Sequence, residues 1–179
     1  MTTTIYHALC ACLGLSPASS EASVLIREAY QEPENAPQPP RTADVIYYSV
    51  TPDLYAAEPP AAYAEENPSL SSHIPAVTMF TAWNLLLVCY GPHAADYARR
   101  IRALIFIDGA GMPRSILRKA GLYPLPCPAE PAVGHEPEGS LWRLRADLTI
   151  PLRREEKETH PGRRGAVSVI PAVRIRSRK

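Results

Sequence analysis

The stretch LWRLRADLTIPL, residues 141–152, decides most about the fold of this chain. Apolar and polar side chains alternate along it, which is typical of a β-strand with one buried face and one solvated face. The apolar face carries Trp142, Leu144, Ala146, Leu148, Ile150 and Leu152. The opposite face carries Arg143, Arg145, Asp147 and Thr149. This alternation favours an antiparallel sheet that packs against a core on one side only.

A second informative region lies near the N-terminus. The sequence VLIREAYQ, residues 24–31, predicts a strand, and DVIYYSV, residues 44–50, predicts another that is rich in β-branched and aromatic side chains. Between them, EPENAPQPPR, residues 32–41, forms a proline-rich arm. Proline fixes φ and removes a backbone donor, so the arm is predicted to be extended before it docks on anything.

Helices are predicted at three places. Apolar residues with helical spacing predict a helix over the first 13 residues, with threonines available to cap its start and Gly14 to end it. Pro92 suits the first position of a second helix. Its buried stripe is predicted to consist of Ala94, Tyr97, Ala98, Ile101, Leu104 and Ile105. A short third helix over residues 113–120 is predicted to end at Gly121.

The remaining segments complete a predicted α+β fold. Residues 77–90 read as the longest strand, apolar on both faces at its end and therefore covered on both sides. Residues 52–75 form a long loop without a convincing element, and residues 122–139 a second proline-rich crossing. Residues 153–165 are predicted to be a charged turn leading to a last strand over 167–176. We therefore predict one domain, residues 1–179, with a mixed, mostly antiparallel sheet and helices on one face.

Composition excludes several classes of protein. With 19 basic and 18 acidic residues the formal net charge is only +1, so no overall field favours nucleic acid or membrane. The first 15 residues lack the charged start of a signal peptide, and no apolar run approaches the roughly 18 residues that span a bilayer. The four cysteines are not spaced as a disulfide framework and fit a reducing cytoplasm.

No catalytic or metal-binding signature is present in the sequence. None of the five histidines has the spacing of a metal motif, and His7 with Cys10 supplies only two ligands. Cys89 lies in an apolar strand, where a buried thiol is usually inert. The IDGAG segment, residues 107–111, lacks the pattern of a phosphate-binding loop and reads as a turn between two helices. We predict that the chain is not an enzyme and uses no cofactor or metal.

The polar face of the strand 141–152 is the main candidate for an interaction surface. Arg143 and Arg145 are followed by Asp147 on that face, and this mixed charge favours a solvated or intersubunit face over a DNA-contact surface. The basic ending RIRSRK, residues 174–179, is compatible with a nucleic-acid tail, but its short length favours a charged edge strand.

Four segments together resemble the terminator proteins of bacteriophage necks and tails. They are VLIREAYQ with the following ENAPQP, VIYYSV, LLLVCYGPHAADYARRIRALI, and LWRLRADLTIPL. The chain departs from that pattern by the insertion RTAD, residues 41–44, and by the long loop at 52–75. The resemblance implies a homo-oligomeric ring, commonly a hexamer, at the head-proximal end of the tail tube. Partners would be the tail tube protein and the portal-side neck proteins, and DNA would pass through the ring without sequence recognition. The location would be the virion neck, after assembly in the host cytoplasm.

Interface residues follow from the same resemblance and from the polar strand face. They are Asn35, Pro37 and Arg41 of the arm, and Arg143, Arg145 and Asp147 of the late strand. The main alternative is a head–tail joining protein on the portal side. Two others are a small phage nuclease, which would need a cluster of acidic or histidine ligands, and a nucleic-acid-binding module.

Overall fold

The computed structural model describes residues 1–29, 39–40, 42–53, 63–65, 76–126, 129–138 and 141–159. The predicted arm residues Asn35, Pro37 and Arg41 and the predicted strand 167–176 lie outside them. The helices are α1 (Thr2–Leu13), α2 (Ser20–Leu25), α3 (Ala94–Leu104) and α4 (Pro113–Lys119). The strands are β1 (Ile26–Glu28), β2 (Val45–Pro52), β3 (Tyr63–Glu65), β4 (Ala76–Tyr90), β5 (Leu122–Pro124), β6 (Ala132–Glu138) and β7 (Leu141–Thr159).

The strands described here form one seven-stranded sheet. Its main path runs β1-β2-β4-β7-β5, with β3 paired to β4 and β6 paired to β7. The β1–β2 pair is parallel, and the other described pairs are antiparallel. The helices pack against the sheet, so the predicted α+β fold with a mixed, mostly antiparallel sheet is confirmed.

The register of the three central strands explains where the core lies. Leu87 of β4 lies opposite Tyr48 of β2 and Leu148 of β7, and Leu85 lies opposite Ile150. All of these side chains are buried. They belong to one core cluster with apolar residues of the helices, namely Ile5, Leu9, Ala98, Ile101 and Leu117. The alternation along residues 141–152 therefore places one face of β7 under the helices, as predicted.

The helix ends agree with the glycine signals in the sequence. Gly14 follows α1 with φ of +73°, and Leu15 N–H donates to Cys10 O at 2.9 Å, which closes the last turn. Gly121 follows α4 with φ of +69°. Two predicted starts were wrong. The N-cap of α1 is Met1, without a side-chain cap, and Pro92 precedes the N-cap His93 of α3.

The predicted strand over residues 24–31 is confirmed only at Ile26–Glu28; residues 24–25 are helical, and residues 30–31 lie outside the described residues. Ser19 Oγ accepts a hydrogen bond from Ala22 N–H at 3.2 Å and caps α2, which runs through Leu25. Only Ile26–Glu28 continues as a strand, paired in parallel with β2. A serine cap and a following acidic residue start a helix here, although the segment is rich in β-branched residues that favour strands.

Several segments predicted to be irregular are strands. The charged stretch from Arg153 continues β7 to Thr159, so β7 rather than β4 is the longest described strand. The proline-rich crossing at 122–139 contains β5 and β6, and the loop at 52–75 contains β3. Each of these pairs with β4 or β7. The two long strands form hydrogen-bonded pairs with short segments whose own sequences have little β-strand propensity.

The expectation that β4 is covered on both sides was wrong. Leu85, Leu87 and Cys89 are buried under the helices, but Leu86 is 36% exposed and Val88 is only half-buried. We call the side opposite the described helices the open face; across the three central strands it carries Tyr47, Ser49, Leu86, Val88, Tyr90, Arg145, Asp147 and Thr149. Apolar residues on both faces of β4 predicted a packing layer on each side of the strand, but the described residues provide a layer on one side only.

Candidate functional site

A cluster of paired charges occupies one end of the open face. Arg145 is its centre: Nε donates to Asp147 Oδ1 at 2.8 Å, and Nη1 donates to Glu136 Oε2 at 3.0 Å. The register of β6 against β7 brings Glu136 beside the arginines, because it lies opposite Arg143. We call Tyr90, Glu136, Arg143, Arg145 and Asp147 the charged cluster.

Tyr90 joins this cluster to β4. Its hydroxyl donates to Glu136 Oε2 at 2.6 Å. The Arg143 guanidinium lies 4.9 Å from the centre of the Tyr90 ring and the Arg145 guanidinium 5.8 Å, so both arginines make cation–π contacts with it. Tyr47 of β2 meets the same ring edge-on. Four strands, β2, β4, β6 and β7, are therefore linked across the open face by the Tyr90 side chain.

The ionisation states in the cluster are fixed by these contacts. Burial, together with the hydrogen bond to Glu136, raises the pKa of Tyr90 to about 12, so the phenol stays protonated. The hydrogen bonds from Tyr90 and Arg145 lower the pKa of Glu136 below its usual value, so this carboxylate stays ionised. The hydrogen bonds that Arg145 donates to Asp147 and Glu136 raise the pKa of Arg145. Glu136 and Arg145 therefore stay charged over the physiological range, which suits a contact surface.

The structure places three of the predicted interface residues together. Arg143, Arg145 and Asp147 do share the face on which the alternation places them. Arg143 also reaches across the sheet end, where Nη2 donates to Ala43 O at 3.0 Å. Sequence reasoning missed Tyr90 and Glu136 as partners. The acidic segment HEPE, residues 135–138, was a signal for Glu136, but only strand pairing shows which arginine it meets.

Groups that could support catalysis are dispersed or buried. No group of three metal-ligating side chains occurs among the residues that the structure describes. Burial raises the pKa of the Cys12 and Cys89 thiols to about 12, so neither is a thiolate near neutral pH.

One histidine–carboxylate pair lies beside the start of α3. Asp44 Oδ1 accepts from the His93 backbone N–H at 2.9 Å, and Oδ2 lies 2.8 Å from His93 Nδ1. The hydrogen bond and the charge of Asp44 raise the pKa of His93 above its ordinary value of 6.5. The Asp44 carboxylate thus ties the start of β2 to the N-terminal end of α3.

This pair predicts a pH dependence of stability. Because the folded pKa of His93 is raised, its contribution is fully present below about pH 6.5 and is lost as pH rises through the folded value. We expect the melting temperature of the parent protein to exceed that of the His93→Gln variant by more at pH 5.5 than at pH 8.5. Thermal unfolding of both proteins in matched buffers measures this, and an equal difference at the two pH values would contradict it.

Neither a scan against protein-family models nor a search of curated proteins found a match to this chain. Within the described ranges, no helix is long and apolar enough to cross a membrane.

Proposed function

We propose that this chain is a structural subunit of a phage neck. It forms a ring at the head-proximal end of the tail tube, stops tube polymerisation and offers the surface for head–tail joining. The proposal starts from the sequence resemblance to terminator proteins. The observation that carries it furthest is the open face, because a sheet with apolar side chains on both sides is suited to packing against a second body.

The composition of the open face supports an assembly role. Leu86 and Val88 lie at its middle, with Tyr47 beside them on β2. The charged cluster lies at one end of this apolar strip, where Arg145 is paired with Glu136 and Asp147, so docking there need not leave that guanidinium as an unpaired buried charge. An apolar centre with a satisfied polar border is the usual anatomy of a specific protein interface.

The mechanism is physical. A ring that binds the last layer of the tail tube covers the surface onto which the next tube subunit would add, so growth stops. The opposite side of the ring is then free for the portal-side neck proteins. Positive charge on the open face is balanced by Glu136 and Asp147, which is consistent with a ring through which DNA slides without tight phosphate contacts.

Electron microscopy of particles made without this gene tests the proposal. We expect tubes of uncontrolled length that carry no heads. Complementation with a Leu86→Glu variant is expected to fail, because a carboxylate at the middle of the open face opposes docking. Ile107→Glu, at another exposed apolar position, is the matched control and should restore normal tails. Normal tails detached from filled heads would move the role to head–tail joining, and intact particles would overturn the structural role.

A further inference from the structure

A groove of about 380 Å³ lies at the end of the sheet where β2 begins. Its lining includes Thr42, Gly91, Pro92, His135, Trp142 and Leu144. Trp142 and Leu144 lie on the helix-side face of β7, whereas Leu141 and Arg143, which also line the groove, alternate to the other side, so the groove adjoins one end of the charged cluster. We call it the Trp142 groove.

Trp142 is the most exposed large apolar side chain that the structure describes. It is 70% exposed, because β7 extends beyond the helices that cover Leu148 and Ile150. Val133 of β6, which shares this face, is also exposed at 49%. A solvated tryptophan beside a groove is a typical hot spot for protein binding.

We propose that the Trp142 groove binds the proline-rich segment 32–40 of a second copy of this chain. The inference rests on the proposed ring and names a contact between its neighbouring subunits. Extended proline-rich segments dock in grooves lined by aromatic side chains, because they lose little conformational entropy on binding. The chain itself brings such a sequence close to a groove of this kind: Pro39 and Pro40 lie three and two residues before Thr42, which lines it. Ala43 N–H donates to Pro40 O at 2.9 Å and fixes that end of the segment.

The length of the segment allows it to reach a second copy. It begins at Ala29, whose N–H bonds to Tyr48 O, and it leads back to Val45 at the start of β2, only three positions before Tyr48 and roughly 10 Å away along that strand. A chain from residue 29 to residue 45 can cover at most about 55 Å. The excess length lets residues 32–40 extend away from their own sheet to the groove of an adjoining copy.

A labelled synthetic peptide, EPENAPQPPR, tests this directly on the purified full chain by fluorescence anisotropy. At protein concentrations where the subunits are separate and the groove is free, we expect saturable binding to the parent, and binding at least about 30-fold weaker to Trp142→Ser, as for loss of a hot spot. Ile107→Ser should bind like the parent, and a peptide with its prolines replaced by serine should not bind. Light scattering should show a smaller assembly for Trp142→Ser than for Ile107→Ser, and circular dichroism should show both folded.

Two results would overturn the inference. One is absence of peptide binding both to the parent and to a variant in which Pro33, Pro37, Pro39 and Pro40 are serine. The other is binding to that variant alone with a parent that stays monomeric, which would assign the groove to its own segment. These results can be distinguished from a failure of the proposed function. Tubes of normal length without peptide binding would contradict only this inference. Peptide binding with tubes of uncontrolled length would contradict only the neck role.

Discussion

Gly91→Ala is expected to lower the free energy of unfolding by about 3 kcal/mol, combining an unfavourable backbone conformation with overpacking. Gly91 has φ of +110°, a conformation that side-chain-bearing residues rarely adopt. A Cβ at this position would also press against the backbone of Asp44 and the carbonyl oxygen of Ala43. The backbone at residues 43–44 cannot move away easily, because it leads directly into β2 and the Asp44 carboxylate accepts a hydrogen bond from the His93 N–H at the start of α3.

Gly111→Ala is the matched control for this prediction. Gly111 also has positive φ, +75°, but a Cβ there meets nothing within 4 Å. Its substitution should cost only the backbone term, about 1 kcal/mol. Urea unfolding of the three proteins measures both effects. Equal losses for the two variants would show that the close approach of Asp44 to Gly91 does not limit stability.

The elements that sequence predicted well are those whose signal is local and repetitive. The alternation along residues 141–152 identified the buried face of β7, and helical spacing identified Ala94, Ala98 and Ile101 as the buried stripe of α3. Such patterns report which side of an element meets the core, whatever the topology. The glycines that end α1 and α4 were predictable for a similar reason, since few other residues adopt that backbone conformation.

The wrong prediction for the end of β7 has a different physical cause, which is strand pairing between distant parts of the sequence. The charged residues that follow Leu152 have little strand preference, yet β7 continues to Thr159 because β4 supplies its ladder as far as Ala76. The prediction for β6 failed for a more local reason: β6 pairs with the adjoining start of β7, and Pro137 and the acidic residues within it hide its strand character from propensity. Strand pairing between segments some 70 residues apart is a property of the assembled sheet that a local window does not contain.

The candidate site was likewise only partly predictable from the sequence. That Arg143, Arg145 and Asp147 share a face was predictable from the strand period of two. That Glu136 and Tyr90 complete the cluster required the pairing of three strands. The exposure of Trp142 was not predictable from alternation, because its position is apolar in phase but lies beyond the end of the helical layer.

Leu87→Ala and Leu86→Ala, at neighbouring positions of β4, are expected to differ sharply in stability. Leu87 is 1% exposed and packs between Tyr48 and Leu148 under the helices, so its truncation should cost about 3 kcal/mol. Leu86 lies on the open face and should cost about 0.5 kcal/mol in the isolated subunit. Chemical denaturation at low protein concentration, where subunits are separate, measures both.

The same pair of variants connects stability to assembly. If the open face is an assembly surface, the loss of unfolding free energy caused by Leu86→Ala should grow with protein concentration. Association buries Leu86 in the parent and therefore stabilises the parent more than the variant. The cost of Leu87→Ala should not change, since its surroundings are complete within one subunit. A Leu86→Ala cost that stays small at every concentration, in a parent that does assemble, would place the subunit contact elsewhere. The assembly role would then depend on the Trp142 groove and the ends of the sheet, and the apolar strip on the open face would need another occupant.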